Sequence, residues 1–198
     1  MGRERERYEQ LAEKGQTPDT MIVACCDSRS APETIFGAAP GEMFVVRNVA
    51  NIMPPYEQNG DYHGTSAALE FAVQGLRVRH IVVMGHGRCG GIATYRHQMT
   101  GEADAPLSPG DFIGKWISLL DPVAESMVCT GAESPEELQW KLESQSIKQS
   151  IEHLKTFPCV SILLEREQIA LHGAWFDIST GELWVLNHET NLFEQPFG

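Results

Sequence analysis

Two short stretches hold the residue types able to do chemistry: Cys25-Cys26-Asp27-Ser28-Arg29, and His86-Gly87-Arg88-Cys89-Gly90-Gly91. Thiols and an imidazole are ligands for soft or borderline metals, and two thiolates with one imidazole suit zinc. A catalytic zinc site keeps three protein ligands and an open fourth position, whereas a fourth protein ligand closes the site into a structural one. Side chains alternate along an extended segment, so only one of Cys25 and Cys26 can face such a metal, and Asp27 and Arg29 fall on the side of Cys25. The two stretches are far apart in the chain, and only the fold can bring them together.

Each stretch follows a compact apolar run. Residues 21–26 (MIVACC), 43–47 (MFVVR) and 80–85 (HIVVMG) read as buried strands, and residues 64–76 carry helical spacing through Ala68, Leu69, Ala72, Val73 and Leu76. Residues 4–14 read as a charged helix closed by Gly15, forming an amino-terminal arm over residues 1–15. From 90 to 157 the chain is mostly helical, broken at Gly101, Pro106, Pro109, Gly110 and Gly131. Ser134-Pro135-Glu136-Glu137 supplies an N-cap, a first-turn proline and acidic residues for a helix running to about Lys155. Further strands are expected at 159–165 (CVSILLE) and 171–178 (LHGAWFDI), the latter turning at Thr180-Gly181 into a hairpin with 182–186. The expected fold is α/β: one domain over 1–198, with a mainly parallel central sheet flanked by helices and an antiparallel edge hairpin near the C-terminus. Ligands in such sheets bind beyond the carboxyl ends of strands where the strand order reverses. The two chemical stretches therefore meet if the first and third strands are neighbours.

At 198 residues the chain can bury a core without a staple, and 42% hydrophobic with 21% charged residues excludes a disordered or collagen-like polymer. Its apolar runs are too short for a membrane-spanning helix. With 27 acidic residues against 15 Lys and Arg, the net charge of −12 repels phosphate backbones and anionic lipid, so neither nucleic acid nor membrane is an expected partner. Five cysteines in no disulfide pattern read as reduced thiols. The charged amino terminus lacks the apolar core of a signal peptide, and the cytoplasm is the expected compartment.

The paired motifs, CCDSR at 25–29 and HGRCGG at 86–91, resemble the Cys-x-Asp-Ser-Arg and His-x-x-Cys-Gly-Gly signatures of the β-class carbonic anhydrases, closest to the plant-type members. The resemblance continues through FVVRNVAN (44–51) and PPYE (54–57) and covers most of the chain. It implies Cys25, His86 and Cys89 as ligands of one Zn(2+) per subunit, and Asp27 with Arg29 as a catalytic dyad. In the resting state of some family members, Asp27 would be the fourth ligand. It further implies Gln16, Phe44, Val49, Phe71 and Gly90 around the substrate, and a homodimer or dimer of dimers with sites at subunit contacts. The implied reaction is the reversible hydration of carbon dioxide to bicarbonate and a proton by a zinc-bound hydroxide. Two thiolates and a neutral imidazole cancel the charge of zinc, so activity is expected to rise on the alkaline side of neutral. Ile22 stands where relatives with a second, non-catalytic bicarbonate site have tryptophan, so that site is not expected, although Arg47 matches its arginine.

Three other readings use the same residues. Gly85-x-Gly87-x-x-Gly90 after a strand fits a dinucleotide fingerprint, but residues 92–114 lack the following strand that ends in an acidic residue. A structural zinc would take Asp27 as a permanent ligand, and relatives of this fold also hydrolyse carbonyl sulfide or carbon disulfide. Cys26, Cys129 and Cys159 read as small core residues. His63 and His97 read as solvated side chains, with proton relay as the alternative.

Overall fold

The computed structural model describes residues 2–59, 63–102, 105–127 and 132–196. Helix α1 (Gly2–Lys14) leads through Gly15, at φ +77°, into strand β1 (Thr20–Cys25). A short helix, α2 (Pro32–Ile35), precedes β2 (Met43–Asn48), which runs into a 3-10 turn at Val49–Asn51. Helix α3 (Gly64–Glu70) continues as a π-helical turn, Phe71–Leu76, and delivers the chain to β3 (His80–His86). Helices α4 (Gly90–Met99), α5 (Phe112–Ile117), α6 (Asp121–Ser126), α7 (Pro135–Lys155) and α8 (Pro158–Glu165) follow. Strands β4 (Ala170–Asp177), β5 (Glu182–Asn187) and β6 (Leu192–Glu194) close the chain.

The six strands form one sheet in the order β2-β1-β3-β4-β5-β6, parallel through β4 and antiparallel beyond it. The alternation of side chains sorts the core. Met21, Val23, Ile81, Val83, Leu171 and Trp175 bury one face against Ile147, Ile151 and Leu154 of α7 and Val160 of α8. Ile22, Ala24, Met84 and Ala174 bury the other, with Ile35 of α2 packed against them. Gly85 and Gly173 let α7 lie close to the sheet: a Cβ at Gly85 would stand 2.8 Å from Ile147 Cδ1, and one at Gly173 would stand 3.1 Å from Ile147 Cγ2.

One expected strand is a helix. Residues 159–165 lie within α8, where Pro158 opens the first turn and Val160, Leu163 and Leu164 face the core at helical spacing while Ile162 is exposed. An apolar run this short fits either structure, and the packing against the sheet decides it. Strand β6 gave no sequence signal because its three residues bury little. Cys26 is exposed and is not the core residue expected, whereas Cys159 is partly buried and packs against the core; Cys129 lies outside the described residues. Among the described residues, no helix is long and apolar enough to cross a membrane.

Candidate metal centre

Strand order reverses between β1 and β3, and the two chemical stretches meet there. Cys25 ends β1, His86 ends β3, and Cys89 is the residue from which α4 starts. Their three ligand atoms lie within 4.8 Å of one another, the only such group among the described residues, and all three residues are buried. The sulfurs of Cys25 and Cys89 are 3.8 Å apart. His86 Nδ1 donates to the Gly87 carbonyl at 3.0 Å, which fixes the tautomer and leaves the Nε2 lone pair free. That Nε2 is buried without a hydrogen-bond partner. An unpartnered imidazole nitrogen beside two sulfurs is a donor set able to hold a metal ion.

Backbone geometry builds this cluster. The turn after β2 carries Ala50 at φ 64° and Asn51 at φ 48°, rare conformations for non-glycine residues. Asn48 holds it closed, accepting from Ile52 N–H and donating to Ile52 O, each at 2.9 Å. The turn brings Ala50 N–H, and the next loop Asp27 N–H, toward the Cys25 sulfur; Gly91 and Ile92 N–H groups of α4 favour the Cys89 thiolate likewise. Gly91 is required by this approach, since a Cβ there would stand 2.6 Å from Val49 Cγ1. A Cβ at Gly90 would meet nothing within 4 Å. The two thiols titrate as a pair. Their mutual contact favours one thiolate, on Cys25, and that thiolate together with burial holds the remaining proton on Cys89.

Asp27 stands at the rim, its Oδ2 3.9 Å from His86 Nε2. Arg29 forks onto it, Nε to Oδ1 at 2.9 Å and Nη2 to Oδ2 at 2.7 Å, and the Arg29 N–H adds a third bond to Oδ1 at 2.9 Å. This fork holds the Asp27 carboxyl well below the usual carboxylate range. Arg47 braces the loop from β2, donating to the carbonyls of Cys25 at 2.7 Å and Asp27 at 2.6 Å. Sequence reasoning considered Arg47 only for a bicarbonate site and missed this role. It also missed Glu143, buried on α7 against the Cys89 backbone. Burial raises the pKa of Glu143, and its hydrogen-bond donors oppose the rise.

Val49 and Cys26 line a cleft of about 700 Å³ with His63, Trp116 and Leu119, while His97 lies elsewhere, beside Pro106 and Leu107. Gly90, next to Cys89 at the start of α4, is at this end of the sheet too, whereas Gln16, Phe44 and Phe71 are not. Phe44 pairs with Met21, four residues before Cys25, which at about 3.3 Å per residue is about 13 Å along the strand. Phe71 stacks near Phe44 with ring centroids 5.8 Å apart, and exposed Gln16 precedes β1 altogether. Within one chain the structure therefore gathers Cys25, His86, Cys89, Asp27, Arg29 and Val49, and leaves Gln16, Phe44 and Phe71 apart from them.

A model of the carbonic anhydrase family matches residues 20–183. The chain is 35% identical over 196 residues to the chloroplastic beta carbonic anhydrase 5 of Arabidopsis thaliana, an alignment covering 98% of this chain and 62% of that protein. It thus spans less than two thirds of that relative's length. Among solved structures, the beta-carbonic anhydrase CcaA superposes with a TM-score of 0.85 at 26% identity, covering 100% of this chain and 85% of that one. A tetrameric beta-carbonic anhydrase of the ascomycete Sordaria macrospora superposes at 0.76 with 30% identity, covering 92% and 87%.

Proposed function

This chain belongs to the β-class carbonic anhydrases, and from that premise we propose that it catalyses the reversible hydration of carbon dioxide to bicarbonate and a proton, with Cys25, His86 and Cys89 holding a zinc ion. The observation that carries the reading is the pair of sulfurs 3.8 Å apart beside the free His86 Nε2. Two zinc–sulfur bonds of about 2.3 Å at a tetrahedral angle span about 3.8 Å. When bound, zinc supplies the Lewis acidity that makes water a nucleophile near neutral pH, for which the value near 7 of the three-histidine carbonic anhydrases is the known reference.

The remaining steps belong to the chain's own residues. Asp27 is ionised across the neutral range, so it acts as a hydrogen-bond acceptor that orients the attacking oxygen toward the carbon. Arg29 fixes that carboxylate with three donors and keeps it from swinging inward onto the cluster. This favours a fourth position open to substrate over a closed structural site. Val49, in the lining of the cleft, offers an apolar wall suited to carbon dioxide, and His63 lines the same cleft as a candidate to accept the released proton. Gln16, Phe44 and Phe71 line the pocket of a second copy in a homodimer, since their own chain holds them away from its cluster.

Stopped-flow hydration of carbon dioxide by the zinc-loaded protein tests the reading. The rate is expected to rise from about pH 7 to about pH 9. Because Arg29 keeps Asp27 ionised far below that range, Asp27 cannot be the source of the rise. A zinc-loaded sample with no hydration activity at mildly alkaline pH would overturn the proposal.

A further inference from the structure

Helix α7 grips the backbone of Cys89. Glu143, 3% exposed, accepts from the Cys89 N–H at 3.0 Å and from Gln139 Nε2 at 2.8 Å through Oε1, and from Trp175 Nε1 at 3.1 Å through Oε2. Gln139 Nε2 also donates to the Cys89 carbonyl at 3.1 Å. Both backbone groups of one candidate metal ligand are thus tied to two residues one turn apart on α7, and β4 braces them through Trp175. The arrangement answers a local need. Cys89 caps α4, so its N–H lies outside the helical ladder, and at 1% exposure no solvent replaces a lost partner. Arg88, just before it, is at φ 57°, a conformation that the surroundings must hold in place. A buried carboxylate is costly to keep, and here three donors from three different elements converge on it.

We propose that Glu143 is a positioning residue that sets the Cys89 sulfur toward Cys25 and His86, with Gln139 as its second anchor and Trp175 as its brace. The inference rests on the reading of Cys25, His86 and Cys89 as metal ligands. Its consequence is that the lifetime of the bound metal is governed from α7, through a carboxylate that touches neither metal nor substrate. Outer hydrogen bonds of this kind are worth about 10- to 100-fold in metal affinity.

The test measures the rate at which the zinc-loaded full chain releases zinc to a chelating dye, with the thiolate absorption of the cobalt-loaded chain as a second reading. Glu143→Leu is expected to release zinc about 10- to 100-fold faster and to change the cobalt spectrum. Glu143→Gln keeps an oxygen for Cys89 and Gln139 but turns an NH2 toward the Trp175 N–H, so release is expected about 3- to 10-fold faster. Adding Trp175→Phe removes that clash of donors and is expected to bring release within about twofold of Trp175→Phe alone. Ile151→Val, two turns further along the same helix, is expected to lower the melting temperature and leave zinc release unchanged. Wild type that takes up neither zinc nor cobalt overturns the metal reading and this inference with it. Wild type that holds the metal while Glu143→Gln releases it at the same rate, or Ile151→Val that speeds release as much, overturns this inference alone. Should Glu143→Leu fail to fold, the glutamine pair decides.

Discussion

The two ends of the parallel strands differ in what a single chain completes. At their carboxyl ends, loops of the same chain bring Cys25, His86 and Cys89 together, and Asp27, Arg29 and Arg47 lock the rim with six hydrogen bonds of 2.6–3.3 Å. Toward their amino ends, Phe44 and Phe71 lie together, Phe71 is 53% exposed, and exposed Gln16 precedes β1. A metal centre needs its ligands within about 0.2 Å of their bonding distances, and here one chain brings all three together. A pocket wall for a small apolar substrate needs only shape, and a second copy can supply it.

The sharpest way to break this contrast is to damage the closed end. His86→Ala removes the only imidazole in the group of three ligands and is expected to lose zinc and reduce hydration by about 10³-fold or more, to the rate of the zinc-free chain. Gln16→Ala and Phe71→Ala should bind zinc as wild type does. Metal analysis after dialysis checks both, and zinc lost from Phe71→Ala would show that the two ends are not separable.

The rim comes next. Asp27→Asn is expected to keep its zinc and lose about 10²- to 10⁴-fold in kcat, since an amide cannot replace an ionised acceptor. Arg29→Gln acts on the same carboxylate through its pKa. The fork lowers the folded-state pKa of Asp27, so its stabilising contribution is present above the unfolded value of about 3.9 and disappears as pH falls toward the folded one. Without the fork that increment is gone, and acid unfolding of Arg29→Gln should begin at higher pH than wild type in a circular-dichroism titration.

The open end is tested by mixing. A chain carrying Asp27→Asn and a chain carrying Gln16→Ala with Phe71→Ala, the latter expected to lose about tenfold in rate, are combined and allowed to exchange subunits. If a second copy lines the pocket, each mixed dimer holds one intact site, and random pairing should approach about a quarter of wild-type activity. If each chain lines its own pocket, activity stays at the mean of the two parents.

Legibility in the sequence follows the same division. That two thiols and an imidazole would meet was readable because strand ends and a reversal of strand order are local and topological facts: CCDSR and HGRCGG each follow an apolar run, and β1 and β3 are neighbours; the choice of Cys25 over Cys26 came from the family resemblance. Helix α7 was readable from its cap, with Ser134 and Glu137 bonding reciprocally. What could not be read depends on three-dimensional partners. Glu143 looks like any helical glutamate until Cys89 and Trp175 arrive from elsewhere in the chain. Arg47 looks like a strand residue until its guanidinium meets two carbonyls of the neighbouring loop. Residues 159–165 have enough apolar character for a strand, and only their seat against the sheet makes them helical.

The smallest expected effect asks how far the closed end extends. Ser134 accepts from Glu137 N–H at 3.2 Å and Glu137 Oε2 accepts from Ser134 N–H at 2.8 Å, so Ser134→Ala removes one bond of this box at the start of α7. The cost should be about 1 kcal/mol, or about 2–4 °C in melting temperature for a domain of this size. Gln139 and Glu143 lie one and two turns further on, already inside the hydrogen-bonded helix and pinned by Cys89 and Trp175. Fraying should therefore stop before it reaches them, leaving zinc release and hydration at wild-type values while the melting temperature falls. A Ser134→Ala protein that sheds zinc faster would mean that the metal end draws on the whole of α7 and not on the two side chains that touch Cys89.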